Sequence, residues 1–176
     1  MYPLFLLILM VVSAPSDWLK ESRASFFRFG SSGCEAEILY NRLEATKTNS
    51  SPLFLAYKGM ARASMAECAF NPAAKLKRFN QGKELLDQAV QSEPENAEIR
   101  LMRLSVQLNA PGFLNYSSDI ATDRALIIAA LSKNPMIFAD NDFTRKVLTF
   151  VTETARPTES ERQIIKQLNI RLEHGN

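Results

Sequence analysis

The chain has 176 residues, enough for one domain with a substantial core, and 46% of them are apolar, which excludes a disordered chain. Glycine is scarce at six and continuous β-branched runs are nearly absent, so the composition favours helices over strands. A net charge of +2 is too weak a bias for a phosphate-binding face, and nucleic acid is not an expected partner.

The N-terminus carries an unbroken apolar run, Leu4 to Val12, followed by Ser13-Ala14. It is shorter than the roughly 20 residues of a membrane span. It fits the apolar centre of a secretory signal with small residues behind it. Residues 1–14 are therefore expected to be a signal peptide or an N-terminal anchor, and residues 15–176 a single all-α domain. No Lys or Arg precedes the run, and Pro15 favours cleavage after Ser13. The alternative is a buried N-terminal helix or strand of a cytoplasmic protein. Export would put Cys34 and Cys68 in an oxidising compartment, where one disulfide is an option; two free buried thiols fit equally.

Seven or eight helices follow. The first is predicted over about Asp17 to Phe29, with Trp18, Leu19, Phe26 and Phe29 inward and Gly30 as its stop. The second covers Glu35 to Thr46, with Ile38, Leu39 and Leu43 inward. Ser51-Pro52 is a cap followed by a first-turn proline, and starts a third helix that runs to about Phe70. Ala56, Gly59, Ala61, Ala63, Ser64, Ala66 and Ala69 make it a surface that a neighbouring helix can approach closely. Asn71-Pro72 repeats the device for a fourth helix, to Ser92, that buries Leu76, Phe79, Leu86, Ala89 and Val90. Its Gly82 costs about 1 kcal/mol relative to Ala, which a close helix crossing would offset.

Asn96 caps a fifth helix, to about Asn109. Leu101, Leu104 and Leu108 line one side of it, and Arg100, Arg103 and Gln107 another. After a loop from Ala110 to Ser118, the sixth helix (about Asp119 to Lys133) is apolar all round at its centre and is expected to be central. The seventh, about Asp142 to Ala155, buries Phe143, Val147, Phe150 and Val151. Thr158 and Glu161 form a capping box for the last helix, whose inner face is Ile164, Ile165, Leu168 and Leu172. The tail from His174 is expected to fray.

Gly82, Leu86, Ala89 and Pro94 stand at the spacing of the second helix of a tetratricopeptide repeat, and this segment resembles that family. Asp123, Ile127, Ala130 and Pro135 repeat the pattern, with Asp where a small residue is usual. Pro72 falls where a standard first helix would continue. The resemblance covers about a third of the chain. It implies antiparallel helical hairpins stacked as a short tetratricopeptide-like array. Glu95 to Arg103, with Phe113-Leu114-Asn115-Tyr116, is also similar to small exported bacterial proteins to which no reaction is assigned, and implies export but no chemistry.

Catalytic and metal chemistry have little to work with. His174 is the only histidine and lies near the end of the chain, so a His triad, a His metal site or an imidazole base has no other candidate. No Cys-x2-Cys pair and no Gly-rich phosphate loop occur. Asp140-Asn141-Asp142 lacks the later Gly and Glu of a calcium loop and reads as a helix start. The pairs Glu35 with Glu37 and Asp119 with Asp123 are explained by solvated helix faces. No cofactor and no metal are expected.

Binding has three candidates. Arg100, Arg103 and Gln107 could line the groove of a helical-hairpin stack and clamp an acidic group, or be an ordinary solvated face. The basic run Lys58, Arg62, Lys75, Lys77, Arg78 and Lys83 is either solvated or meets an anionic membrane surface or acidic partner. Phe113 and Tyr116, with Leu114, are either an exposed contact or loop anchors.

The expected protein is a non-catalytic adaptor of the bacterial cell envelope that binds a protein or peptide. It is expected to be exported, periplasmic or membrane-associated through its N-terminal segment. The alternative is a helical carrier holding a lipid or other small apolar ligand in a cavity lined by Phe26, Phe79 and Phe150. If the arginine stripe is the groove, Arg100→Glu with Arg103→Glu weakens partner capture and leaves the melting temperature nearly unchanged.

Overall fold

The computed structural model describes residues 17–28, 35–46 and 51–174. Within them the protein is all-α, with eight helices and no strand: α1 Asp17–Phe26, α2 Glu35–Ala45, α3 Pro52–Ser64, α4 Pro72–Ser92, α5 Ala97–Asn109, α6 Ile120–Lys133, α7 Asn141–Thr154 and α8 Glu159–His174. Short 3-10 turns at Met65–Cys68 and Gly112–Leu114 join α3 to α4 and lead out of α5. The apolar run Leu4 to Val12, Phe29, Gly30 and Cys34 lie outside the described residues.

Side chains at the helix starts take up backbone N–H groups that have no partner within the helix. Ser51 Oγ accepts from Phe54 N and Asn71 Oδ1 from Ala74 N, each with proline in the first turn. Asn96 Oδ1 accepts from both Glu98 N and Ile99 N. The capping box forms in both directions: Thr158 N donates to Glu161 Oε2 at 2.6 Å and Glu161 N to Thr158 Oγ1 at 3.3 Å.

Three antiparallel hairpins follow from these starts. In α3–α4, Gly59 and Ala63 meet Gly82, while Arg62 donates to Gln81 and Arg78 to the carbonyl of Met65. In α5–α6, Arg103 meets Asp123, and in α7–α8 Arg145 donates to the carbonyl of Leu172. The first hairpin is the most intimate. A Cβ at Gly82 would stand 2.4 Å from Ala63 N and 2.5 Å from the carbonyl oxygen of Gly59, so the two backbones touch where the small residues predicted a close crossing.

The core runs through α3, α5, α6 and α7, where Tyr57, Met60, Ile99, Leu101, Leu104, Ile127, Leu131 and Leu148 are fully buried. Phe26, Phe27, Phe143 and Phe150 stack edge-on or tilted at one side of it, with centroids 4.7 to 6.4 Å apart.

Several predicted details change. The α-helical part of α3 ends at Ser64, not near Phe70, because the chain tightens into the 3-10 turn before Asn71. Ile38, Leu76 and Ile164, expected inside, are 58%, 46% and 38% exposed. Ile38 and Ile164 each adjoin a buried residue of the same helix (Leu39 and Ile165), so a single step of 100° carries them off the packed stripe. Phe150 is only half-buried, and α6 is not enclosed all round, since Ala125 and Ala129 face out.

Candidate functional site

The polar stripe of α5 points into the helix packing. Asp123 of α6 is completely buried and takes three hydrogen bonds from it. Arg103 Nε donates to Oδ2 at 2.7 Å and Arg103 Nη2 to Oδ1 at 2.7 Å, a bidentate pair, and Arg100 Nη1 adds 2.8 Å to Oδ1. Arg100 Nε donates to the carbonyl of Pro94, which ties the turn before α5 to the same cluster. Burial alone would lower the Arg103 guanidinium; its bonds to Asp123 outweigh that and raise it above its ordinary value. Asp123 is thus no part of a solvated face: it meets two cations that restrict it to one geometry. Gln107, the third member of the stripe, is 2% exposed, and neither its amide oxygen nor its nitrogen has a hydrogen-bond partner.

Tyr116 and Phe113 are separated by the same loop. Tyr116 is buried, with its ring edge-on to Phe79 at 5.6 Å and its hydroxyl donating to Asp87 Oδ1 at 3.0 Å. Burial, then the neighbouring carboxylate of Asp87, pushes that hydroxyl far above its ordinary pKa. Lys83 Nζ lies 5.2 Å over the ring and is paired with Asp87. Phe113, three residues earlier, is 84% exposed. Tyr116 is therefore a loop anchor and Phe113 a free aromatic.

Asp87 and Lys83 also belong to an open, shallow surface along one side of α4, with Asn80, Glu84, Gln88 and Gln91. The pattern i, i+3, i+4, i+7, i+8, i+11 puts all six on one helix face. Its amides at Asn80, Gln88 and Gln91 went unnoticed in the sequence, where the same face looks like ordinary solvent-exposed helix. A smaller cavity of about 250 Å3 lies between α1 and α2, bordered by Glu21, Ser25, Arg28, Glu35, Leu39 and Arg42.

A second buried network escaped prediction entirely. Glu98 is 5% exposed and receives Arg23 Nε at 2.8 Å, Arg23 Nη2 at 2.7 Å and the Tyr57 hydroxyl at 2.6 Å. Arg23 also donates to the carbonyl of Phe138 and stacks over Phe143 at 4.9 Å. Burial, then the charge of Glu98, drives the Tyr57 hydroxyl well above its ordinary pKa. The network pins α1 to α3, α5 and the segment before α7.

Arg124 does the same between α6 and the α7–α8 turn, donating to both oxygens of Glu161 and to the carbonyl of Ala155. Burial pushes the Glu161 carboxyl up, but the backbone N–H of Thr158, Arg124 and the Thr158 hydroxyl together hold it below the ordinary value of 4.5. A carboxylate lowered on folding stabilises the folded state above its unfolded pKa and loses that contribution as pH falls through the folded one. Glu161→Gln is accordingly expected to lower the melting temperature at pH 7, with the gap from the unsubstituted protein narrowing below pH 4.5. A gap of constant size from pH 7 to pH 3 would contradict this reading.

The basic run is mostly engaged. Lys58 pairs with Glu44 at 2.6 Å, Arg62 bonds Gln81 and lies over Tyr40 at 4.9 Å, and Arg78 reaches the carbonyl of Met65. Lys75 and Lys77 stand exposed. Cys68 is disulfide-bonded. Among the described residues no cluster of His, Cys, Asp and Glu could hold a metal ion, and no helix is long and apolar enough to cross a membrane. Compared with protein-family models, with curated proteins and with solved structures, the chain matches none. What the fold and its surface define is an all-α protein of antiparallel helical hairpins with charge clusters sealed in its packing and an open, amide-rich face on α4.

Proposed function

We propose that this protein is a non-catalytic adaptor of the bacterial cell envelope that takes an extended segment of a partner protein along α4. The amide-rich face of α4 carries this reading. Its side-chain amides at Asn80, Gln88 and Gln91 each donate and accept, as a peptide backbone requires. Asp87 holds Lys83 and Tyr116 in place beside them, so this part of the surface is formed before any partner arrives. Phe113 adds an exposed aromatic on the loop that Tyr116 anchors.

The same reading takes the hairpins as a degenerate tetratricopeptide-like stack. Supporting it, Gly82, Leu86 and Ala89 are all buried at the spacing that family uses, α3 packs on α5, and α6 packs on α8. Export rests on the apolar run Leu4 to Val12. The carrier reading has no comparable support: Phe26 packs on Phe150 and Phe79 on Tyr116, and the open surface of α4 is lined by polar residues.

The test is a displayed library of unstructured peptides selected on the unsubstituted protein. Gln88 and Gln91 are exposed, so Gln88→Ala with Gln91→Ala should leave the melting temperature within about 1 °C. It should weaken the selected peptides about tenfold, as expected when about 1.4 kcal/mol of hydrogen bonding is lost. Unchanged binding by the double variant removes this face of α4 as the site.

A further inference from the structure

The start of α4 projects from the body of the molecule. Asn71, Pro72, Ala73, Lys75, Leu76 and Lys77 are all exposed. Lys75 lies on the same stripe as Phe79 and Gly82, the residues that pack inward one and two turns later, yet it is in solvent. At the very tip Phe70 is 106% exposed. A residue before a helix cap commonly folds onto the residue five positions on, but here that position is Lys75, which offers the ring no apolar cover. Leu76 is 46% exposed beside it.

The charge around this apolar tip is mainly positive. From Met65 to Arg78 the chain carries Lys75, Lys77 and Arg78 against the single acid Glu67. The first turn of α4 has no acidic residue, so the positive end of the helix dipole is uncompensated. The tip is also held firmly: Arg78 Nη1 donates to the carbonyl of Met65 at 2.9 Å, Asn71 caps the helix, and Cys68 is disulfide-bonded.

We propose that this tip docks on an anionic lipid surface, with Phe70 and Leu76 entering the interface and Lys75 and Lys77 meeting the headgroups. An aromatic and an aliphatic side chain beside two exposed lysines match the two layers of such a surface, apolar beneath and negative above. None of these four residues belongs to the α4 surface of the adaptor reading.

The experiment uses the full chain with vesicles of phosphatidylcholine alone or with 30% phosphatidylglycerol. All four positions are exposed, so Phe70→Ala with Leu76→Ala, and Lys75→Glu with Lys77→Glu, should fold normally. Each pair is expected to lower affinity for the anionic vesicles about tenfold or more, and salt should weaken the unsubstituted protein more than the lysine variant. The apolar N-terminal run is common to every variant and cancels in the comparison. Phe70→Trp should be quenched by brominated lipid in anionic vesicles beyond the quenching of Trp18 in the unsubstituted protein. Equal affinity of all variants without extra quenching, equal affinity for both vesicle types, or a change in self-association in place of lipid binding would each overturn the proposal.

Discussion

Arg103→Glu is expected to destabilise the fold by about 4 kcal/mol, a large fraction of a typical domain's stability. Asp123 is fully buried and its two bonds from Arg103 are the best formed of its three. Removing one member of a buried pair strands the other charge in the packing, a loss of about 3–5 kcal/mol, and a second carboxylate adds repulsion from Asp123 and from Asp119, 3.8 Å from the guanidinium. Arg100 keeps one bond to Asp123 and cannot replace a bidentate partner. Replacing Arg103 and Asp123 together by Leu and Met should recover most of the loss, because an apolar pair needs no compensation. The midpoint of urea unfolding measures both. A midpoint unchanged in Arg103→Glu would mean that the α5–α6 clamp contributes nothing. The sequence pointed the other way, to arginines whose reversal alters binding and spares stability; burial of their acceptor reverses that expectation.

Gly82→Ala should also lower stability, by about 2 kcal/mol, although at most helical sites the same change stabilises by about 1 kcal/mol. The added methyl would stand 2.4 Å from Ala63 N and 2.5 Å from the Gly59 carbonyl oxygen. Both are backbone atoms, so no rotamer change relieves the contact, and α3 and α4 must separate along their seam. Overpacking of this kind costs about 1–3 kcal/mol and exceeds the propensity gain. Removing the Ala63 methyl, 2.7 Å away, should rescue little, because the nearer contacts remain. Thermal unfolding of Gly82→Ala, and of Gly82→Ala with Ala63→Gly, checks the order. A rise in melting temperature for the single variant would show that the helices have room to yield.

Local rules read well in this chain. Ser51-Pro52, Asn71-Pro72, Asn96 and Thr158 with Glu161 each start a helix within a residue or two of the expected place, since a cap bonds only its own first turn. The small residues of α3 and Gly82 foretold the close crossing, because backbone approach is set by side-chain volume alone. Faces read less well. Leu76 follows the apolar pattern and is exposed because α4 outruns its neighbours, and helical spacing does not say where the neighbouring helices end. The site residues scattered for the same reason: Arg100, Arg103 and Gln107 share one stripe, but only the position of α6 shows that the stripe faces Asp123, not a partner.

What the amino-acid order determined alone is therefore the helical class, the helix starts and the seam between α3 and α4, all consequences of contacts a few residues apart or of side-chain size. The tertiary structure decided which charges are buried. Arg23 with Glu98 and Arg124 with Glu161 join residues 75 and 37 positions apart. No local pattern encodes such a pair, because its stability arises only when packing removes both partners from water.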